Sequence, residues 1–311
     1  MTHTHSHAVP EGGRTLGLSI LLTVAFVLGE AVAGVLAHSL ALLSDAGHNF
    51  ADALALVFSW YAIRVARRPA DARRTYGYHR VGILVALVNA VSLVVLALWI
   101  FWEAAQRLRS PGPVESGPMI VVALIAVALN AVISLWLRRG AAHDLNIRSA
   151  YLHMLGDALS ALGVVAAGVV VATTGAAVAD PIVSLLIGGL ILWSSWGILT
   201  EAVDVLLEAA PKGLDMVALE RGIKDVPDVI DIHDLHVWTV ASGIVACSCH
   251  IVVEEQSASS SQVVHRSVAT MLRHRFGIGH TTVQVEVEGC ASDEMYCTMR
   301  PVHDRCTGHE H

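Results

Sequence analysis

Residues 39–63, "SLALLSDAGHNFADALALVFSWYAI", decide how the rest of the chain is read. The stretch is apolar and long enough to cross a bilayer, for which about 20 residues suffice. Yet its middle carries Asp45, His48 and Asp52. An aspartate at the centre of a spanning helix costs about 2.5–3.5 kcal/mol on insertion scales, so charges kept there call for a functional explanation. His48 and Asp52 lie one helical turn apart and therefore share a face.

The same spacing recurs in a second apolar stretch, where His153-Met-Leu-Gly-Asp157 repeats the pattern H-x-x-x-D-A-L. Two such helices side by side would aim two imidazoles and two carboxylates at one point. A divalent cation cancels both negative charges and accepts electron pairs from both rings. The filled site is formally neutral and four-coordinate, the arrangement zinc prefers. Imidazole nitrogen favours zinc, cobalt, nickel or copper over magnesium and calcium, which take oxygen cages. Metal needs neutral histidine and ionised aspartate, so protons compete for the same atoms. A site that loads metal on one side and protons on the other is an exchanger. A lone polar residue in a spanning helix more often bonds a neighbouring helix; the matched second copy is what tips the reading toward a cation. Asp45, three residues before His48, reads as a neighbouring partner of the site, a proton carrier or a helix-breaking contact near the N-terminus of the helix. Asn49, Asn89 and Asn130 read as packing contacts, and Glu30 and Glu103 as weaker candidates still.

The composition agrees with a membrane protein. The chain is 54% hydrophobic and 15% charged, with a mean hydropathy of +0.59, against roughly a quarter charged in soluble domains. Six apolar segments qualify as spans: 15–37, 40–64, 81–105, 117–138, 150–173 and 180–203. Arg64, Arg67, Arg68, Arg73, Arg74 and Arg80 follow the second, and Arg138, Arg139 and Arg148 the fourth; only Arg107 and Arg109 fall on the other side. The positive-inside rule then places both termini in the cytoplasm. No secretory signal pattern opens the sequence. The net charge of −7 argues against nucleic acid as a partner. All five cysteines (Cys247, Cys249, Cys290, Cys297, Cys306) come after residue 240, which suggests reduced thiols rather than a disulfide framework.

Beyond Pro211 the texture becomes that of a soluble domain. "LDMVALERGIKDV" reads as an amphipathic helix, and two strand-like runs meet at Ser242-Gly243, a hairpin signal. Serines that cap a helix follow, then the alternating "HTTVQVEVEG". The order is αββαβ. Four regions result: a histidine-containing tail (1–14), a six-span domain (15–208), a small α+β domain (209–289) and a tail without periodicity (290–311). Cys247 and Cys249 share one strand face and read as core. His3, His5 and His7, with Cys290, Cys297, Cys306, His303, His309 and His311, are a weak metal-scavenging signal.

The six spans, "SDAGHNFAD", the second H-x-x-x-D, "DPIVSL" at Asp180, "HDLHVW" and "HTTVQVE" together resemble the cation diffusion facilitators. The resemblance covers residues 14–288. It implies a homodimeric, proton-coupled exporter of divalent metal; the absence of targeting segments and the small size fit a bacterial inner membrane. Its transport site would be His48, Asp52, His153 and Asp157, a set seen in zinc exporters that often handle cadmium. It also implies a six-helix bundle joined to a ferredoxin-like cytoplasmic domain, with a regulatory zinc site drawn from His233, His250, His265, His280 and Glu286. Period-two alternation would turn His236 away from His233. Some members carry another metal site between spans two and three, from an aspartate and two histidines. Here Asp71 remains, but Arg74 and Tyr78 stand where the histidines would be, which speaks against that site; these arginines suit an anionic membrane surface.

Two other classes compete with this reading. An intramembrane metalloprotease would show H-E-x-x-H, which is absent, as are G-x-S-x-G and any P-loop. Exporters of cobalt, nickel or iron, or a zinc sensor that moves nothing, remain the alternatives to a zinc exporter.

Overall fold

The computed structural model describes residues 13–138 and 145–287. The terminal histidines and cysteines singled out above, and Arg139, lie outside the described residues.

Six long helices come first: α1 (Gly13–Leu36), α2 (Leu40–Ala66), α3 (Val81–Arg109), α4 (Ser116–Leu137), α5 (Leu145–Thr174) and α6 (Ala179–Leu206). By length and composition α3, α4, α5 and α6 can each cross a membrane. Helix α2 is as long, with Asp45, Asp52 and Arg64 interrupting its apolar run, and α1 contributes the apolar stretch Val24–Leu36. Small residues line the inner faces: Ala37, Ala41, Ala97, Ala123 and Ala167 are buried among Leu42, Leu93, Ile100, Met119 and Val164. Between lipid-embedded helices hydrophobicity gives little drive, so close backbone approach and van der Waals contact must hold them. Gly168 shows how close: a Cβ there would sit 2.6 Å from Ile120 Cγ1, joining α5 to α4. The large apolar side chains point outward instead, with Trp102, Trp136 and Trp193 all exposed. This is the pattern of a lipid-facing surface.

Helix α3 runs to Arg109, beyond the expected end of its span, so Arg107 and Arg109 lie in its last turn. Cations are favoured at a helix C-terminus, and Arg107 Nε adds a 2.9 Å bond to Glu103 one turn back.

The second unit consists of residues 68–83 and those from 201 onward. It contains α7 (Met216–Lys224), β1 (Asp231–Ala241), β2 (Ile244–Val252), α8 (Ala258–Phe276) and β3 (His280–Glu286), the order read from the sequence. The sheet order is β1-β2-β3, with β1/β2 antiparallel and β2/β3 parallel. Asp215 caps α7 and Ser257 caps α8, while Gly277 ends α8 in the left-handed conformation (φ 70°). Gly243 (φ 74°) makes the hairpin turn. Leu219, Ile223, Leu235, Val237, Cys247, Cys249, Ile251, Val264, Val268 and Leu272 form one core between the two helices and one face of the sheet. Contact with the Cys249 thiol, together with burial, pushes the Cys247 thiol up, leaving it a neutral core side chain.

The 68–83 loop packs with this unit rather than with the bundle. Arg80 pairs with Glu208 at 3.1 Å, and the Tyr76 and His280 rings stack edge to face at 5.6 Å. Asp71 organises the loop: one oxygen accepts from the Arg73 and Arg74 amides, the other from the Tyr78 hydroxyl at 2.7 Å. These donors hold its carboxyl below the usual range, and both oxygens are engaged in the turn.

Candidate metal centres

The first centre depends on how α2 begins. Ser39 caps the helix by accepting from the Leu42 amide at 3.2 Å. Asp180, in the first turn of α6, takes the next donors: Leu40 N–H at 2.7 Å, Ala41 N–H at 3.1 Å and the Ser39 hydroxyl at 2.6 Å. Arg107 approaches Asp180 at 3.7 Å and donates to the His38 carbonyl at 2.5 Å. Buried helix-start amides are costly to leave unpaired, so the fully buried Asp180 moors α2 to α6. In the sequence Asp180 stands out only as part of "DPIVSL". A lone aspartate at the head of one helix gives no sign that it caps another 140 residues away.

Two turns further along α2, the four expected transport residues meet. Asp52 Oδ2 lies 3.5 Å from His48 Nε2 and 3.0 Å from His153 Nε2. Asp157, on α5, reaches His48 Nε2 at 3.6 Å and His153 Nε2 at 3.7 Å. The imidazole centroids are 6.0 Å apart, edge to face. Ligand atoms of His48, Asp52 and His153 all fall within 4.8 Å of one another. Asp52 Oδ2 and His48 Nδ1 are buried without a hydrogen-bond partner. Two imidazoles and two carboxylates thus crowd together with a carboxylate oxygen and a ring nitrogen left over, a donor set suited to a cation.

Asn49, expected only to pack, donates to Glu30 Oε2 at 3.2 Å and so ties α1 to the site-bearing turn of α2. Asp45 is 1% exposed and turns toward Glu30. One oxygen of each carboxyl, Asp45 Oδ1 and Glu30 Oε1, has no donor. Glu103 is engaged by Arg107.

The second centre lies on the sheet face away from the core. His233 and His250 are direct cross-strand partners, with ring centroids 5.0 Å apart. Glu286, at the end of β3, reaches His233 Nε2 at 2.9 Å and His250 Nδ1 at 3.1 Å. These three form the other group of metal-competent ligands among the described residues. His265 and His280 do not join them within one chain. Helix α8, which carries His265, packs its Val264, Val268 and Leu272 on the opposite, core face, and His280 pairs with Ala246 at the far end of β3.

The period-two expectation for His236 is overturned. A β-bulge interrupts the β1 register between His233 and His236. Ile232 and Leu235, three apart, both face the core, so His233 and His236 share the outer face. The extra residue is Asp234, in the left-handed region at φ 51°. Its carboxylate lies 3.0 Å from His236 Nε2 and 3.7 Å from His250 Nε2. Nothing in the alternation signals a bulge, though an Asp tolerates this conformation better than most residues.

The description "Cation efflux transmembrane domain" matches residues 16–207, and "Cation efflux protein, cytoplasmic domain" matches 211–288. The chain belongs to the cation efflux family. Across its whole length it is 38% identical to the zinc transporter ZitB of Shigella flexneri, covering 99% of that protein. It is 38% identical over 92% of its length to the metal cation efflux system protein CzcD of Cupriavidus metallidurans, covering 90% of it. It is 32% identical to the cadmium, cobalt and zinc/H(+)-K(+) antiporter of Bacillus subtilis, over 99% of each chain. As a family member this chain is a multi-pass membrane transporter and not an enzyme, with a ferredoxin-like α+β domain following its spans.

Proposed function

We propose that the protein is a secondary transporter that exports zinc, with cadmium as a second substrate, in exchange for protons. The observation that carries this reading is the meeting of the two H-x-x-x-D turns, where each of the His48 and His153 rings lies 3.0–3.7 Å from both Asp52 and Asp157 across α2 and α5. The two carboxylates balance a divalent charge, and the two imidazoles favour zinc over hard cations. Protons and metal contend for the same four groups, which couples release of one to binding of the other. The names of the full-length relatives, a zinc transporter and a cadmium, cobalt and zinc antiporter, support the same substrates.

Zinc also acts as a regulatory ligand at His233, His250 and Glu286. The set offers two imidazole nitrogens and a carboxylate oxygen within 4.8 Å of one another, a fit for zinc. The protein works as a homodimer in the inner membrane, with both termini cytoplasmic on the strength of its arginine distribution. Its lipid-facing aromatic and aliphatic surface needs membrane lipid as its solvent.

The test is zinc flux in proteoliposomes that contain only this chain. Flux should rise when the proton gradient opposes the metal gradient, and it should vanish in Asp157→Ala. Metal movement at the same rate whatever the proton gradient would remove the antiport. No movement of any divalent metal would leave only a sensor.

A further inference from the structure

We infer that Asp234 is a positioning residue for the His233, His250 and Glu286 metal set, its carboxylate standing behind the far side of the His250 ring. This rests on the regulatory-site reading above and goes further, because it assigns the bulge in β1 a purpose.

The two nitrogens of His250 face different acids. Nδ1 lies 3.1 Å from Glu286 Oε1, on the side of the three-residue donor set, and Nε2 lies 3.7 Å from Asp234 Oδ2. When Nδ1 gives its lone pair to a metal, Nε2 carries the proton and needs an acceptor. A carboxylate in that place fixes ring orientation and makes the ligating nitrogen a better donor, the carboxylate–histidine–metal arrangement. The other oxygen of Asp234 is held by His236 Nε2 at 3.0 Å. That anchor keeps the carboxylate behind the ring instead of letting it swing into the donor set.

The backbone is shaped for this. Regular alternation would turn both Asp234 and His236 to the face opposite His233. The bulge adds one residue, brings His236 to the face of His250, and leaves Asp234 between them at φ 51°. A non-glycine residue persists in that region only where its surroundings over-determine it, and such residues gather at functional sites. The core gains nothing from the side chain, which is half-buried and outside the apolar cluster. The gain lies on the ring side.

The full chain in detergent tests this, with Asp52→Asn and Asp157→Asn in place so that metal bound at the transport centre does not obscure the reading. Zinc affinity is measured by competition with a chromophoric chelator, the cobalt(II) absorption spectrum reports the donor set, and thermal unfolding is followed in parallel. Asp234→Gly removes the carboxylate and relieves the backbone, since glycine is at ease in the left-handed region. Its zinc affinity should fall 10–100-fold, the usual effect of losing such a partner, while its unfolding midpoint holds or rises. Asp234→Asn keeps an acceptor oxygen and tolerates the bulge, so it should lose less. Zinc affinity in Asp234→Gly within threefold of the parent would overturn the inference, as would a loss that merely follows a lowered unfolding midpoint. His233→Ala with His250→Ala separates the two claims. If that variant binds zinc and cobalt as the parent does, the regulatory site itself is wrong and the role of Asp234 goes with it.

Discussion

Asp180 offers a sharp test of how the bundle holds its site. Replacing it with leucine keeps an apolar-compatible volume and removes both acceptor oxygens. The Leu40 and Ala41 amides then lose their partners at 2.7 and 3.1 Å, in a place where Asp180, Ser39 and Leu40 are fully buried. Each buried unsatisfied amide costs about 1–3 kcal/mol, so the two together cost about 2–6 kcal/mol. The Ser39 hydroxyl can rotate toward another acceptor and adds little. Arg107 keeps Glu103 at 2.9 Å and the His38 carbonyl, so its charge is not stranded. Asp180→Asn retains one acceptor and should cost about half as much. Unfolding by titration with SDS, starting from a mild detergent, measures the difference directly. Transport by Asp180→Leu should fall as well, because α2 carries His48 and Asp52 two turns beyond the lost cap. If Asp180→Leu unfolds within about 1 kcal/mol of the parent, the mooring of α2 by α6 is a coincidence of proximity and the reasoning fails.

Two further outcomes follow from the centres and their surroundings. Asp52→Asn leaves a bound divalent ion with one uncompensated charge inside the bilayer. At about 2.5–3.5 kcal/mol per such charge and 1.4 kcal/mol per decade, zinc affinity at the transport centre should drop about 100-fold; equilibrium binding in a His233→Ala, His250→Ala background reads it, and a loss under fivefold would contradict the charge argument. In the C-terminal domain, Lys224 Nζ lies 2.9 Å from Asp231 and holds that carboxyl below the usual range. The unfolded chain therefore binds the proton more readily, so the pair's contribution is present above the ordinary aspartate value and is lost as pH falls through the lowered one. Both side chains are substantially exposed, so Asp231→Asn should cost a few tenths of a kcal/mol near neutral pH and progressively less as pH falls below the ordinary aspartate range, as followed by unfolding of the full chain across that range.

The sequence by itself determined the long apolar helices, the order of elements in the C-terminal domain and the two His–Asp turns whose side chains come together. The reason is that each of these is written in local spacing. A span needs only a run of apolar residues. A helix face needs only residues four apart, so His48 with Asp52 and His153 with Asp157 were each readable within one turn. That His233 and His250 lie on neighbouring strands was readable from the hairpin turn at Gly243. Their direct pairing was not, because unbroken register from the turn would set His233 against Val252 and two register shifts move it to His250. What tertiary structure alone decided is where long-range partners meet. Asp180 caps a helix it is remote from in sequence, Glu30 on α1 takes the amide of Asn49, and the 68–83 loop packs with the C-terminal domain. His265 falls on the wrong side of the sheet to join His233 within one chain, because the core draws α8 to the other face. The β1 bulge belongs to the same class: one added residue reverses the facing of everything beyond it, and only the packing of Ile232 and Leu235 into a shared core fixes where that residue goes.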